Sequence, residues 1–504
     1  MGVPPMSGHF LISLITFTPL LGGLALLTLK KEEQKLARIF AISFSLVPAI
    51  AVLALWNRFS LADANLQFVE RHQWIPSLGI EYFLGIDGLG LLMFLLTAIV
   101  IPFALSSTSK EITNPKLHFA LYLFLQTGLY GTFTALNFFH WVIFWELSLV
   151  PAFFLIKLWG GPDRTRAAYQ FFVYTLVGSV AMLLAFLAIY SATGIFDFIR
   201  LAELARSGEL HAAVSTKLIR GNFSADKILF ILFLGVLLGF AVKVPLFPFH
   251  TWLPATYAEA PSSVSMTLTG VMSKMGVYGF LRILLPIFPE QMRAALTPLL
   301  WLAVATIIFS AYAALAQKDL KRIIAYSSIN HLGYCLLGLF AVMKFTEGDL
   351  LNEKAAALFC FVGILEKRSG GIRGLNDFGG LRKVAPVFCG LMGISIFSSL
   401  GLPGLNGFVG EFLIFKGVFS LASWAAALST LGLLVTAIFL LTILQKVFSG
   451  PVNSNWRSFS DLTRAELLTV VPAIALMFGL GIFPQILIGV INPTVLRMVK
   501  MLNS

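Results

Sequence analysis

The sequence predicts an all-α polytopic membrane protein of about fourteen transmembrane helices, with two inverted five-helix repeats, broken helices and a shortened eleventh span. Three observations carry that prediction. The chain has 504 residues, is 58% hydrophobic and only 12% charged, whereas a soluble domain carries about 25% charged residues. Apolar stretches of about 20 residues, the length that crosses a bilayer, recur along its whole length. A few ionisable residues sit inside those stretches, close to prolines and glycines that break helices.

Taken in order, the expected spans are 9–29, 38–56, 86–106, 117–136, 138–158, 169–193, 228–249, 258–286, 294–314, 322–343, 354–366, 385–419, 424–447 and 467–491. Two of them are unusual. Segment 354–366 is too short to cross unaided, and 385–419 is too long and is broken by GLPGLNG. Residues 194–227 read as one long loop. Without a Pro- or Ser-rich linker, residues 1–504 form one membrane domain, with 117–286 and 294–447 as its five-helix repeats. Leu11–Leu29 lacks a basic leader and reads as a retained span, not a cleaved signal.

The net charge of +12 then concerns topology, not nucleic acid. The loops that follow odd-numbered spans hold KKEEQKLAR, KLWGGPDRTR, QKDLKR and EKRSGGIRGLNDFGGLRK. They carry the larger share of Lys and Arg, which places them in the cytoplasm and both termini outside. Cys335, Cys360 and Cys389 lie in apolar stretches without metal-ligand spacing and are expected to be buried.

Glu146, Lys243, Lys274 and Glu411 fall deep in the spans, and His331 is a fifth candidate. A charge at a helix centre costs about 2.5–3.5 kcal/mol on insertion scales, so each such residue is a functional candidate by default. The competing reading is a structural ion pair, or a side chain snorkelling to the surface, as for Lys416. FAVKVPLFPFHTWLP, at 240–254, supplies a reason for Lys243. Pro245 and Pro248 have no N–H, so the helix breaks just after the lysine and leaves it at the negative end of a half-helix. GLPGLNGFVGEF, at 401–412, is the counterpart: Glu411 lies in the first turns of a second half-helix, where the dipole favours a carboxylate. These breaks fall on the seventh and twelfth spans. A repeat of five spans would place them at equivalent positions, and an odd repeat length inverts the second copy.

Buried lysines, glutamates and a histidine make a proton relay, because burial and neighbours bring their proton affinities together. A coupling ion such as Na⁺ stays open on these residues. The sequence has no HExxH, CxxC, GxSxG, P-loop or haem-type histidine pair, so no cofactor and no metal are expected.

WELSLVP at 145–151, WGGPDRTRAAYQFFVYT at 159–175, KVPLFPFHTWLPATYAEAPSSVS at 243–265, KMGVYGFLRI at 274–283, IAYSSINHLGY at 324–334, GLPGLNGFVGEF at 401–412 and LGIDGLGL at 84–91 resemble the antiporter-like subunits of respiratory complex I. The likeness is to the M type of bacterial NADH–quinone oxidoreductase and its plastid and mitochondrial (chain 4) counterparts, and covers roughly residues 80 to 450. It implies a proton-translocating membrane-arm subunit of an NADH–quinone oxidoreductase, a non-redox part of a translocase. Such a chain binds no redox cofactor, is partnered by other membrane-arm subunits and lipid, and sits in a bacterial inner membrane, with the thylakoid as the alternative. The resemblance also assigns roles. Glu146 modulates Lys243, Lys274 is the central relay residue, His331 links onward and Glu411 delivers the proton. Asp87 and Glu259 are polar positions of the family, equally readable as loop structure. The superfamily includes subunits of multisubunit Na⁺/H⁺ antiporters, which keeps that class open. One departure stands out. Where the family has a broken helix with another histidine, this chain has KFTEGDLLNEK, at 344–354, too charged to span. That puts the step between His331 and Glu411 in question and leaves open a structural subunit with an impaired channel.

Overall fold

The computed structural model describes residues 10–30, 33–109, 112–219, 223–342 and 355–503. Among the described residues nineteen helices run in order: α1 Leu11–Thr28, α2 Gln34–Arg58, α3 Gly88–Ser107, α4 Pro115–Thr134, α5 Phe138–Trp159, α6 Arg164–Thr193, α7 Phe198–Arg206, α8 Glu209–Lys217, α9 Ala225–Lys243, α10 Trp252–Glu259 and α11 Ser262–Ile287. They continue as α12 Pro289–Leu315, α13 Leu320–Val342, α14 Ala355–Arg368, α15 Pro386–Ser399, α16 Asn406–Leu421, α17 Ser423–Phe448, α18 Arg464–Ile482 and α19 Gln485–Asn503.

Ten of these helices are long and apolar enough to cross a membrane, and the pair α18–α19, bent by 64°, makes up to eleven. The other predicted spans also have helical counterparts, and their chemistry explains why they fall short. Almost all of α4 is buried inside the bundle. Its neighbours there are protein, so it tolerates His118, Gln126, Thr127 and Thr132. Helices α15 and α16 are the two halves of the broken segment 385–419, and α14, the shortened eleventh span, has 14 residues. The stretch 344–354 and its charges lie outside the described residues.

The outer helices wear apolar side chains outward. Leu14, Leu21, Leu24, Ile39, Ile50 and Leu53 on α1 and α2 are exposed, as lipid-facing or partner-facing surface requires. The inner helices are buried around their full circumference: α11 and α13 are each 94% buried over their most apolar stretch. Helix α4 packs on α1 and α5, α6 on α9, and α12 on α13 and α17.

The chain is helical as expected, with one β element that the sequence reading did not include. Gln67–Ile75 (β1) and Ile80–Ile86 (β2) pair antiparallel as a hairpin between α2 and α3. QFVERHQWI carries Phe68, Val69, Trp74 and Ile75, residue types that strands favour, and Gly79 closes the turn at φ +62°. The hairpin caps a helix: Glu70 Oε1 accepts the backbone N–H of Ile12 at 2.8 Å at the start of α1, satisfying a donor with no partner in the helix. Residues 194–227, expected to be loop, contain α7 and α8. Asp197 starts α7 by accepting the N–H groups of Ile199 and Arg200. Of the cysteines, Cys335 and Cys360 are buried as expected, but Cys389 is only half-buried.

Candidate functional site

Lys243 is the last residue of α9 and is buried. The break forms where the prolines place it, but the carbonyls it frees are taken by others. Leu246 N–H donates to Ala241 O at 2.9 Å and Trp252 Nε1 to Val242 O at 3.1 Å. The broken segment is pinned to α12 by Phe247 N–H on Thr306 Oγ1 at 2.9 Å. The ammonium instead lies over the Trp145 ring, 5.0 Å from its centroid, a cation–π contact. Glu146, the next residue along, is half-buried in the middle of α5. No ion pair within 4 Å joins it to Lys243.

Lys274 is buried in α11, where the helix widens. Leu268–Met272 is a π turn, the Ser273 N–H reaching back to Leu268 O at 3.0 Å. In an α-helix that N–H would bond Thr269 O. Released from it, the Thr269 carbonyl accepts two side chains, Lys274 Nζ at 2.6 Å and Ser273 Oγ at 2.9 Å. Single π turns inside α-helices recur at functional sites. Thr269 Oγ1 also hydrogen-bonds Ser328 Oγ at 2.7 Å, which carries the polar line from α11 onto α13, the helix of His331.

His331 and Glu411 meet directly. Nδ1 lies 3.3 Å from Oε1, with both side chains 7% exposed. Glu411 sits on the buried face of α16, one turn after the break, while Lys416 on the same helix is exposed, as the snorkelling reading has it. Asn330, beside the histidine, fixes α13 to its neighbours. Its Nδ2 donates to Ile307 O at 2.8 Å, and Thr436 Oγ1 donates to its Oδ1 at 3.1 Å.

Sequence reasoning left two further charge clusters unread. Asp87 caps α3 through the Gly90 N–H at 3.0 Å and pairs with Arg282 of α11 at 2.5 Å, both nearly buried. Arg282 stood in the quoted KMGVYGFLRI, two helical turns past Lys274, and that spacing could have found it. At the opposite ends of α3 and α11, Arg373 pairs with Glu259 (3.2 Å) and Asp319 (3.3 Å) and approaches Glu366 (3.8 Å), and Lys321 pairs with Glu366 at 2.7 Å. Glu259 also accepts the Asp163 N–H at 3.0 Å. Partial burial would lower the proton affinity of Arg373, but the surrounding carboxylates raise it above its ordinary value. All these loops belong to the set that the charge count places on one side. No sequence spacing links them, since the bundle alone brings them together.

The molecule is thus a multi-pass helical membrane protein with a line of buried ionisable groups inside its bundle, broken helices at two of them and hydroxyls between. Residues 135–439 match the family described as NADH:quinone oxidoreductase/Mrp antiporter, transmembrane, and the chain belongs to that family. NADH-quinone oxidoreductase subunit M of Rhodobacter capsulatus is 33% identical over 97% of this chain and 96% of its own length. Its counterpart in Mycobacterium tuberculosis is 32% identical over 96% of this chain and 93% of its own. Among solved structures, a chain of respiratory complex I from Thermus thermophilus with bound NADH superposes with a TM-score of 0.82 at 29% identity, over 98% of this chain and all of that one. A chain of the Mrp complex from a Dietzia species gives 0.81 at 18% identity, covering 98% of this chain and 100% of that one; that likeness concerns the fold alone.

Proposed function

We propose that this chain is a proton-translocating membrane-arm subunit of an NADH–quinone oxidoreductase in a bacterial inner membrane, a non-redox part of the translocase. Redox energy released in other subunits changes the charge balance at Glu146 and Lys243. A proton then passes along Lys243, Lys274, His331 and Glu411. Lys243, whose ammonium lies over the Trp145 ring, hands its proton on. Lys274 receives it, and the Thr269–Ser328 hydroxyl pair bridges α11 to α13. The units 117–286 and 294–447 act as inverted copies, each with one broken helix presenting an ionisable group.

The observation that carries this reading is the 3.3 Å contact between His331 and Glu411. It lets a proton pass from α13 to α16 without the histidine that the region 344–354 lacks. That argues against a channel impaired at this step. The test is to tag the chain in its native membrane, solubilise in mild detergent and identify what co-purifies. Iron–sulfur and quinone-site subunits are the expected result. Small antiporter subunits without redox partners would move the protein to the Na⁺/H⁺ class. In the assembled complex, Lys243→Ala should cut NADH-driven proton uptake; undiminished uptake would remove Lys243 from the relay.

A further inference from the structure

We propose that Arg282 seals the outer end of α11, as a proton stop that closes the way from Lys274 to the outside face. This rests on the relay reading above and adds a residue that carries no proton itself but keeps the relay from leaking.

Arg282 follows Lys274 on α11, about 12 Å along the helix axis, toward the end that the loop charges place outside. It lies in a second π turn of that helix, Phe280–Leu284. Tyr278 stands between the two cations and is buried, and its hydroxyl donates to Phe133 O at 2.7 Å. The same oxygen accepts the Arg282 Nε–H at 3.3 Å. On the other side, Arg282 Nη2 meets Asp87 Oδ2 at 2.5 Å, the two side chains 13% and 5% exposed. Helix α19 covers the start of α3 beside this pair. Thr494 Oγ1 accepts the Gly88 N–H at 3.1 Å, and a Cβ added to Gly88 would come within 1.9 Å of Val490 O.

A line of hydrogen-bonding groups passes a proton only where each member can accept as well as donate. A guanidinium has five donors and no acceptor, and it keeps its proton in proteins. The Tyr278 hydroxyl does not make up for it. Its O–H is taken by Phe133 O, and its oxygen faces the Arg282 donor. Asp87 could carry a proton, but its oxygens are engaged, one by Arg282 and the other by the Gly90 N–H at 3.0 Å. The fixed positive charge also repels a proton arriving from outside, as an arginine does in pores that exclude protons. Asp87 offsets the cost of burying that charge. The competing view is a plain structural ion pair that ties α3 to α11.

The deciding experiment places the intact complex in proteoliposomes, imposes a pH gradient without NADH and follows the proton leak, with assembly checked by co-purification. Arg282→His puts a group that accepts and donates at neutral pH in the place of the stop. It is expected to raise the leak roughly tenfold or more, the scale of a positioned proton-transfer group. The double change Arg282→Leu with Asp87→Leu leaves no proton carrier at the pair and should be as tight as wild type. Adding Lys274→Ala to Arg282→His should abolish the leak. A purely structural pair does not give that pattern, because loosened helices leak whatever stands at Lys274. An assembled Arg282→His complex that stays tight overturns the seal. So does a double-leucine complex that leaks as much, or a leak that persists without Lys274. The relay reading is judged separately, by NADH-driven uptake in Lys274→Ala alone: it stands if that uptake falls and fails if it does not. Should Arg282→His not assemble, the wild-type complex decides. A high-resolution density map is expected to show no continuous line of waters from Lys274 past Arg282 to the outer face, and such a line overturns the proposal.

Discussion

Gly401 shows how tightly a single residue can be tied to a buried charge. Its backbone lies at φ +71°, and a Cβ added there would come 2.5 Å from Oε2 of Glu411. Two costs therefore follow from Gly401→Ala. The left-handed conformation is disfavoured by about 1–2 kcal/mol for an L-residue, and the carboxylate must move. We expect a modest loss of thermal stability and a larger loss of proton uptake, since the shift disturbs the contact with His331. Normal uptake in an assembled Gly401→Ala complex would show that the Glu411 position tolerates displacement. Most of the proposed relay is legible at this scale. Glu146, Lys243, Lys274, His331 and Glu411 are recognised as charges in apolar runs, because burying a charge needs a reason. Their connectors are not. Thr269 and Ser328 are ordinary helix residues in sequence, and only the π turn at Leu268–Met272 gives them a role.

Among the elements, the breaks after Lys243 and before Glu411 follow from proline and glycine chemistry and were readable. The carbonyl partners inside the break were not, since Trp252 Nε1 reaches Val242 O through folding back of the chain. The β-hairpin was missed because its strands are short, show no clean apolar–polar alternation and lie between two long apolar runs. The two ion-pair clusters tie elements together, and each gives a prediction. Removing one member of a buried pair costs about 3–5 kcal/mol by leaving the other uncompensated, whereas replacing both with apolar groups can be neutral. Arg282→Leu should therefore lower stability more than the double change Arg282→Leu with Asp87→Leu, in thermal unfolding of the purified complex. Equal losses would show that Asp87 acts mainly as the cap of α3. Arg373→Ala removes the partner of Glu259 and Asp319 together. It should loosen loops 160–163, 258–262 and 318–322, read as faster proteolytic cleavage there; an unchanged cleavage pattern would make the cluster a solvated surface network.

For the whole molecule, composition and span length settle a helical membrane bundle, and the motifs settle its family. The packing order of the helices could not be read, because apolar spans are nearly interchangeable in sequence. What packing adds is continuity: a line of groups on α9, α11, α13 and α16 that no local pattern connects. The central claim is that protons travel along this line, with Lys274 in its middle. Its most direct test is proton uptake per NADH oxidised in proteoliposomes carrying the complex with Lys274→Ala. The account predicts an assembled complex whose uptake ratio falls; an unchanged ratio would contradict it.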